Sequence, residues 1–257
     1  MILARLVALV VLGWAAAESL GADPLRVVFI GDSITQGGRY RPDDVTFRYP
    51  LYRELQQAGW DVDFVGRRHA GFDSAFPWPE DFDPDHEGFY GQTTRDVEQQ
   101  VEEDLAALEV PDVAVLLLGE NDNPDHVGDT LLRPLTDIVA NLRVRNPEVQ
   151  IVLVQIPGFW KNLVIHWRVW LLAQGLGTPE SLVTVVPLDE DWNAKADTYD
   201  GDHPNPQGQA KIAAKLLPVL EACLSRAASA RGRGSAHRAT SGRRGWPGSP
   251  RSPSSGR

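Results

Sequence analysis

Ser33 follows an apolar run, Val27-Val28-Phe29-Ile30, that breaks at Gly31-Asp32, and this placement makes its hydroxyl a candidate nucleophile. A serine hydroxyl attacks a carbonyl only when a base accepts its proton, and the base works best when an acid orients it. The chain supplies both in one short segment, Asp200-Gly201-Asp202-His203-Pro204-Asn205, just ahead of its last helical pattern. Asp200 and His203 complete the parts of a Ser-His-Asp acyl-transfer triad. The same residue types have plainer uses, since serine caps helix starts and a loop histidine is usually only solvated. Asp202 offers a second acid, but a residue next to histidine in sequence orients its ring poorly, so Asp200 is the expected partner.

Such groups need a scaffold that brings positions far apart in sequence to one place. Strand-like runs recur at 25–31, 61–65, 113–119, 151–156 and 182–187. Helical patterns lie between and after them, at 49–58, 93–108, 131–145, 163–174 and 207–224. Strands alternating with helices predict βαβ crossovers and a parallel sheet. The run Val113-Ala114-Val115-Leu116-Leu117-Leu118 is apolar at every position, as expected of a central strand covered on both faces. The spacing by itself implies an α/β doubly wound fold, in which ligands bind beyond the carboxyl ends of the strands. Residues 66–90 form the longest stretch without a periodic pattern. Its aromatics, as in Phe76-Pro77-Trp78, suit either a substrate-facing loop or one packed on its own domain.

Four short blocks carry a resemblance. Gly31-Asp32-Ser33-Ile34, Gly91 within Gly88-Phe89-Tyr90-Gly91-Gln92, Asn121 within Gly119-Glu120-Asn121-Asp122, and Asp200 with His203 occur in that order. In this the chain resembles the GDSL/SGNH hydrolases, esterases named for blocks bearing Ser, Gly, Asn and His. The resemblance spans 25–222 and implies a flavodoxin-like three-layer α/β/α sandwich with about five parallel strands. It implies a catalytic Ser33, Asp200 and His203, with an oxyanion hole made by the Ser33 and Gly91 backbone N–H groups and the Asn121 side-chain amide. Glu120 departs from the common pattern, which has a small or hydroxyl residue there. Tyr49-Pro50-Leu51-Tyr52, Asp63-Phe64-Val65-Gly66 and His86-Glu87-Gly88 resemble the branch of family 3 carbohydrate esterases, which remove acetyl groups from decorated xylan.

The two ends are read separately. Arg5 precedes an apolar run at 6–17 that ends in Ala15-Ala16-Ala17 before Glu18, the pattern of a secretory signal peptide. Residues 1–17 are therefore expected to be a signal peptide, and the protein to be secreted or periplasmic after cleavage. The hydrolase domain is expected over 18–224. From residue 225 to 257 the chain has eight arginines and no acids amid Ser, Gly, Ala and Pro, which predicts a disordered basic tail. Setting those arginines aside takes the formal charge of the remainder from −10 to −18. Such a body lacks the positive footprint of a nucleic-acid binder and suits neutral substrates. No stable membrane insertion is expected. Cys223 is the only cysteine, so an intrachain disulfide and a cysteine metal cluster are both excluded.

These readings converge on a secreted serine esterase acting on small acyl esters, acetyl above all, of a small-molecule or oligosaccharide substrate. No cofactor and no metal are expected, since His86 and Glu87 lack a matching third ligand. An alternative on the same fold is a lysophospholipase or acyl thioesterase, whose acyl groove the aromatics between Phe159 and Trp170 would line. A secreted glycan-binding protein with a degenerate site is the non-enzymatic alternative.

Overall fold

The computed structural model describes residues 23–41, 44–156 and 162–241. Six parallel strands form one sheet: β1 Leu25–Gly31, β2 Val62–Val65, β3 Glu87–Gly88, β4 Val113–Leu117, β5 Gln150–Gln155 and β6 Val183–Pro187. Their order is β2-β1-β4-β5-β6, and the two-residue β3 pairs with the end of β1 beyond β2. The five longer strands match the expected doubly wound sheet. β3 is an addition, too short to leave a periodic trace in the sequence. It matters for the site, because it pairs Ile30 with Glu87 and Gly31 with Gly88 where β1 ends.

Side chains alternate across the strands and so build two apolar layers. Val27, Phe29, Val115 and Leu117 face a layer covered by α2 (Arg48–Gln57) and α7 (Pro206–Ser241). Val28, Ile30, Ala114 and Leu116 face the other, covered by α3 (Thr94–Ala107), α4 (Arg133–Arg145) and α5 (Asn162–Leu176). The sheet is thus sandwiched, and β1 and β4 are buried on both faces. In α5, Ile165 and Val169 enter the core, whereas Trp167 and Trp170 stack on each other at 5.4 Å and are exposed. Phe159 and Trp160, also assigned to an acyl groove, lie outside the described residues. Among the described residues no helix is long and apolar enough to cross a membrane.

The carboxyl-terminal segment differs from expectation. Instead of becoming disordered at residue 225, the chain continues as α7 through Ser241. Ala227 and Ala230 are buried at helical spacing. The Arg231 guanidinium pairs with both oxygens of Asp112, Nε donating at 2.8 Å to Oδ1, and Nη1 donates to the carbonyl oxygens of Asp23 and Pro24. Arg226 donates to Gln150 Oε1 and to the Pro179 carbonyl. Low overall apolarity does not prevent docking, because two alanines suffice for close helix packing and Arg226 and Arg231 find fixed partners. Residues 242–257 of the expected tail, and the expected signal peptide at 1–17, lie outside the described residues.

Candidate active site

β1 and β4 are neighbours at the point where strand order reverses, the crevice that favours ligands in open α/β sheets. β1 ends at Gly31, where a Cβ would approach the Leu117 carbonyl oxygen to 2.6 Å, so only glycine fits. Asp32 then caps the short α1 (Ser33–Gln36), its Oδ1 accepting from the Ile34 N–H at 3.0 Å. Ser33 is the first helical residue, so its own N–H has no partner within the helix. The capping use anticipated for Ser33 belongs to Asp32, which leaves the Ser33 hydroxyl available.

The structure brings Ser33, His203 and Asp200 together. His203 Nε2 lies 3.0 Å from Ser33 Oγ, and Nδ1 lies 2.8 Å from Asp200 Oδ2. An ionised carboxylate only accepts, so Nδ1 carries the hydrogen and Nε2 is free to accept from the serine. Asp202 is not in this relay; its backbone N–H donates to Asp200 Oδ1 at 3.1 Å, beside the His203 N–H at 2.8 Å. Partial burial raises the Asp200 pKa, but hydrogen bonds from the Tyr40 hydroxyl and from the His203 backbone and ring outweigh it. The carboxyl is held well below the usual carboxylate range. The arrangement can move a proton from the serine hydroxyl to imidazole and stabilise the imidazolium that results.

Gly91 and Asn121 lie on two segments that are bonded to each other. Asn121 Nδ2 donates to the Gln92 carbonyl at 3.0 Å, leaving its second N–H for another acceptor. Gly91 has φ +72°, in the left-handed region, and a Cβ there would meet nothing within 4 Å. Its backbone conformation, rather than crowding by the protein, is what requires glycine. Asp122 anchors the same region by accepting from the Thr94 N–H at 3.0 Å and hydroxyl at 2.6 Å. Glu120, the departure from the common pattern, acts electrostatically on Asp32. Burial first, then the Glu120 and Asp122 charges, push the Asp32 carboxyl up to about 7.

Three buried groups that the sequence reading did not assign to the site brace it. Arg48 is fully buried, donating from Nε to the Thr35 carbonyl at 3.1 Å and from Nη1 to the Pro84 carbonyl at 2.7 Å. It thereby ties the turn behind Ser33 to the end of the 66–90 loop. Burial pushes its pKa down to about 9, so it remains charged at neutral pH. His86 accepts at Nδ1 from the Gly88 N–H at 2.8 Å, which puts its hydrogen on Nε2, 3.1 Å from the Ala70 carbonyl. Burial holds its pKa well below 6.5, and the ring is neutral. Gln36 Oε1 accepts from the Tyr90 N–H at 2.9 Å. Among the described residues no cluster of His, Cys, Asp and Glu is placed to hold a metal ion.

Aromatic rings surround the histidine. Tyr90 stacks parallel to His203 at 5.7 Å and contacts Phe72 at 4.1 Å. Tyr40 stacks on Tyr199 at 4.6 Å, and Arg39 lies over the rings of Tyr40, Phe72 and Tyr90. The 66–90 loop divides between the surroundings of His203 and its own domain. Phe72 and Tyr90 face the site, while Phe82 is buried in the core and Trp78 packs against it. Single aromatics in a loop carry no periodic signal, so Tyr40 and Tyr199 were not legible as site residues.

The model of the GDSL-like lipase/acylhydrolase family matches residues 29–211 of the chain. Among solved structures, a mutant acetyl esterase with an acetate ion is similar at 25% identity and a TM-score of 0.66, over 78% of this chain and 98% of that one. A family 3 carbohydrate esterase from Talaromyces cellulolyticus is similar at 26% identity and 0.66, over 78% and 98%. A family 3 carbohydrate esterase from Clostridium thermocellum is similar at 26% identity and 0.63, over 79% and 99%. No curated protein sequence matches the chain.

Proposed function

Since this chain belongs to the GDSL-like lipase/acylhydrolase family, and is an SGNH-type serine ester hydrolase by that membership, we propose that Ser33 is its covalent nucleophile. The relay of 3.0 Å from Ser33 to His203 and 2.8 Å from His203 to Asp200 carries this reading. His203 accepts the serine proton as Oγ attacks the ester carbonyl, and Asp200 stabilises the imidazolium. The tetrahedral oxyanion is received by the Ser33 and Gly91 N–H groups and the free N–H of Asn121, each such donor contributing about 2.7–4 kcal/mol to the transition state. His203 returns the proton to the leaving alcohol, and the acyl group stays on Ser33. Water, deprotonated by the same imidazole, then releases the acid.

The substrate is a short acyl ester, acetyl above all, on a carbohydrate. The likeness to an acetyl esterase and to two family 3 carbohydrate esterases supports this, as does the exposed ring of Phe72, packed on the Tyr90 that stacks on His203, which suits contact with a sugar. The pattern of residues 1–17 supports export. A longer acyl chain is the second reading, favoured by the exposed Trp167, Trp170 and Leu171.

The test is a panel of p-nitrophenyl esters and acetylated xylo-oligosaccharides, run with a fluorophosphonate probe. Acetyl esters are expected to be cleaved and octanoyl esters not, and the probe is expected to label the wild type but not Ser33→Ala. Equal labelling of both removes Ser33 as nucleophile, and a preference for octanoate moves the substrate to lipids or thioesters.

A further inference from the structure

We propose that Tyr40 is a positioning residue of the triad, its hydroxyl holding Asp200 in register with His203. This rests on the reading of Ser33, His203 and Asp200 as the catalytic relay.

The acid of this relay is unusually open, with 39% of its side chain exposed. An open carboxylate exchanges its partners with water and rotates about its own bond. Here all four acceptor positions are taken. Oδ1 receives the backbone N–H groups of Asp202 and His203, and Oδ2 receives His203 Nδ1 at 2.8 Å and the Tyr40 hydroxyl at 2.5 Å. Three of those four donors come from the same short loop as the acid. The Tyr40 hydroxyl alone comes from elsewhere, 160 positions away in the chain. It therefore fixes the loop that carries acid and base to the segment just beyond Ser33.

The placement of Tyr40 is itself built. Gly37 and Gly38, at φ +68° and +69°, turn the chain out of α1 so that the tyrosine reaches back over the site. Its ring stacks on Tyr199 at 4.6 Å, the Tyr199 N–H donates to the His203 carbonyl at 2.9 Å, and its own N–H donates to Asp44 Oδ2 at 3.3 Å. Partial burial and the Asp200 charge raise the Tyr40 pKa, so the phenol stays protonated as a donor. The hydroxyl is also 3.2 Å from His203 Nδ1, so the ring proton lies between two oxygens that Tyr40 holds together.

Tyr40→Phe keeps the ring and its stacking and removes only the hydroxyl. In the full chain, two measurements are made on it. One is the acid titration of the Asp200 carboxyl by carbon NMR, with the resonance assigned through Asp200→Asn. The other is kcat and KM on p-nitrophenyl acetate, in wild type, each single variant and the double variant. The Asp200 midpoint is expected to rise toward the ordinary carboxylate range, and kcat to fall about tenfold with KM unchanged. In the Asp200→Asn background the same change is expected to cost less than about twofold, because the hydroxyl acts through that carboxylate. An unmoved Asp200 midpoint, an unchanged kcat, or a full tenfold loss in the Asp200→Asn background would each overturn the proposal. If the midpoint rises but the wild type shows no Ser33-dependent esterase activity, the contact stands and the esterase reading falls.

Discussion

Replacing Arg231 by alanine tests the docking of the extended helix, and the structure sets the size of the effect. Asp112 keeps only 9% of its side chain exposed, and Arg231 keeps 34%. Removing the guanidinium leaves a nearly buried carboxylate whose remaining donor among the described residues is the Arg26 N–H at 2.7 Å. Breaking a buried pair from one side costs roughly 3–5 kcal/mol. Water reaching the space left by a one-third-exposed guanidinium lowers that to about 2–3 kcal/mol. For a chain of this size each kcal/mol moves the melting temperature by about 2–4 °C, so a fall of about 4–12 °C is expected. Stopping the chain after Leu224 also exposes the faces that bury Ala227 and Ala230, so it is expected to cost at least as much. Both are measured by circular dichroism melts against a chain ending at Ser241, which retains every described contact. Because Asp112 is stranded rather than merely unpaired, Asp112→Asn added to Arg231→Ala is expected to recover part of the loss. If the chain ending at Leu224 melts within about 1 °C of the one ending at Ser241, the helix extension does not contribute to stability.

Two further outcomes follow from the site. Asp200→Asn is expected to lower kcat roughly 10³–10⁴-fold, since the amide neither supplies charge nor enforces the tautomer. Asp202→Asn, whose carboxylate is absent from the relay, is expected to cost less than about threefold, and steady-state rates on p-nitrophenyl acetate decide between them. Asp32 gives a pH dependence of stability. Its folded pKa of about 7 exceeds its ordinary 3.8, so the folded state holds a proton that the unfolded chain releases. Stability from this group therefore falls as pH rises through roughly 4 to 7 and is fully lost above that. Asp32→Asn keeps an acceptor for the Ile34 N–H and is expected to flatten the decline in melting temperature between pH 5 and 8; an unchanged slope would refute it.

Periodic features were legible in the sequence and solitary ones were not. The bounds of β1 match the apolar run at 25–31, and the other four long strands fall within about two residues of their runs, since a buried strand must be apolar throughout. The four motif blocks drew Ser33, Gly91, Asn121, Asp200 and His203 out of the chain because each sits at an element boundary. Arg48 escaped, because a single arginine in an amphipathic helix looks like a solvated face, and nothing local announces that Thr35 and Pro84 carbonyls will receive it. Tyr40 escaped for the same reason, its partner being 160 positions away. The extension of α7 is not visible in composition, which averages over residues, whereas docking depends on two buried alanines and on Asp112, 119 positions from Arg231.

The proposed acid and base share one loop, whose shape is held by bonds within it: the Tyr199 N–H to the His203 carbonyl at 2.9 Å, the Gly201 N–H to Thr198 Oγ1 at 2.7 Å, the Asn205 N–H to the Asp197 carbonyl at 2.9 Å. The serine, by contrast, opens α1 directly after β1, a strand sandwiched between the two apolar layers of the core. Turnover and architecture are therefore expected to have different weakest points. On the proposed relay, mild heat or dilute denaturant that detaches this loop is expected to abolish esterase activity while the circular dichroism of the sheet persists. Inactivation is then expected to precede melting and to reverse on cooling, and loss of activity coincident with the melt would refute this. On the proposed reading, the on-off state of this chain lies in a few residues of one loop, and its working life as a catalyst is expected to end before its fold does.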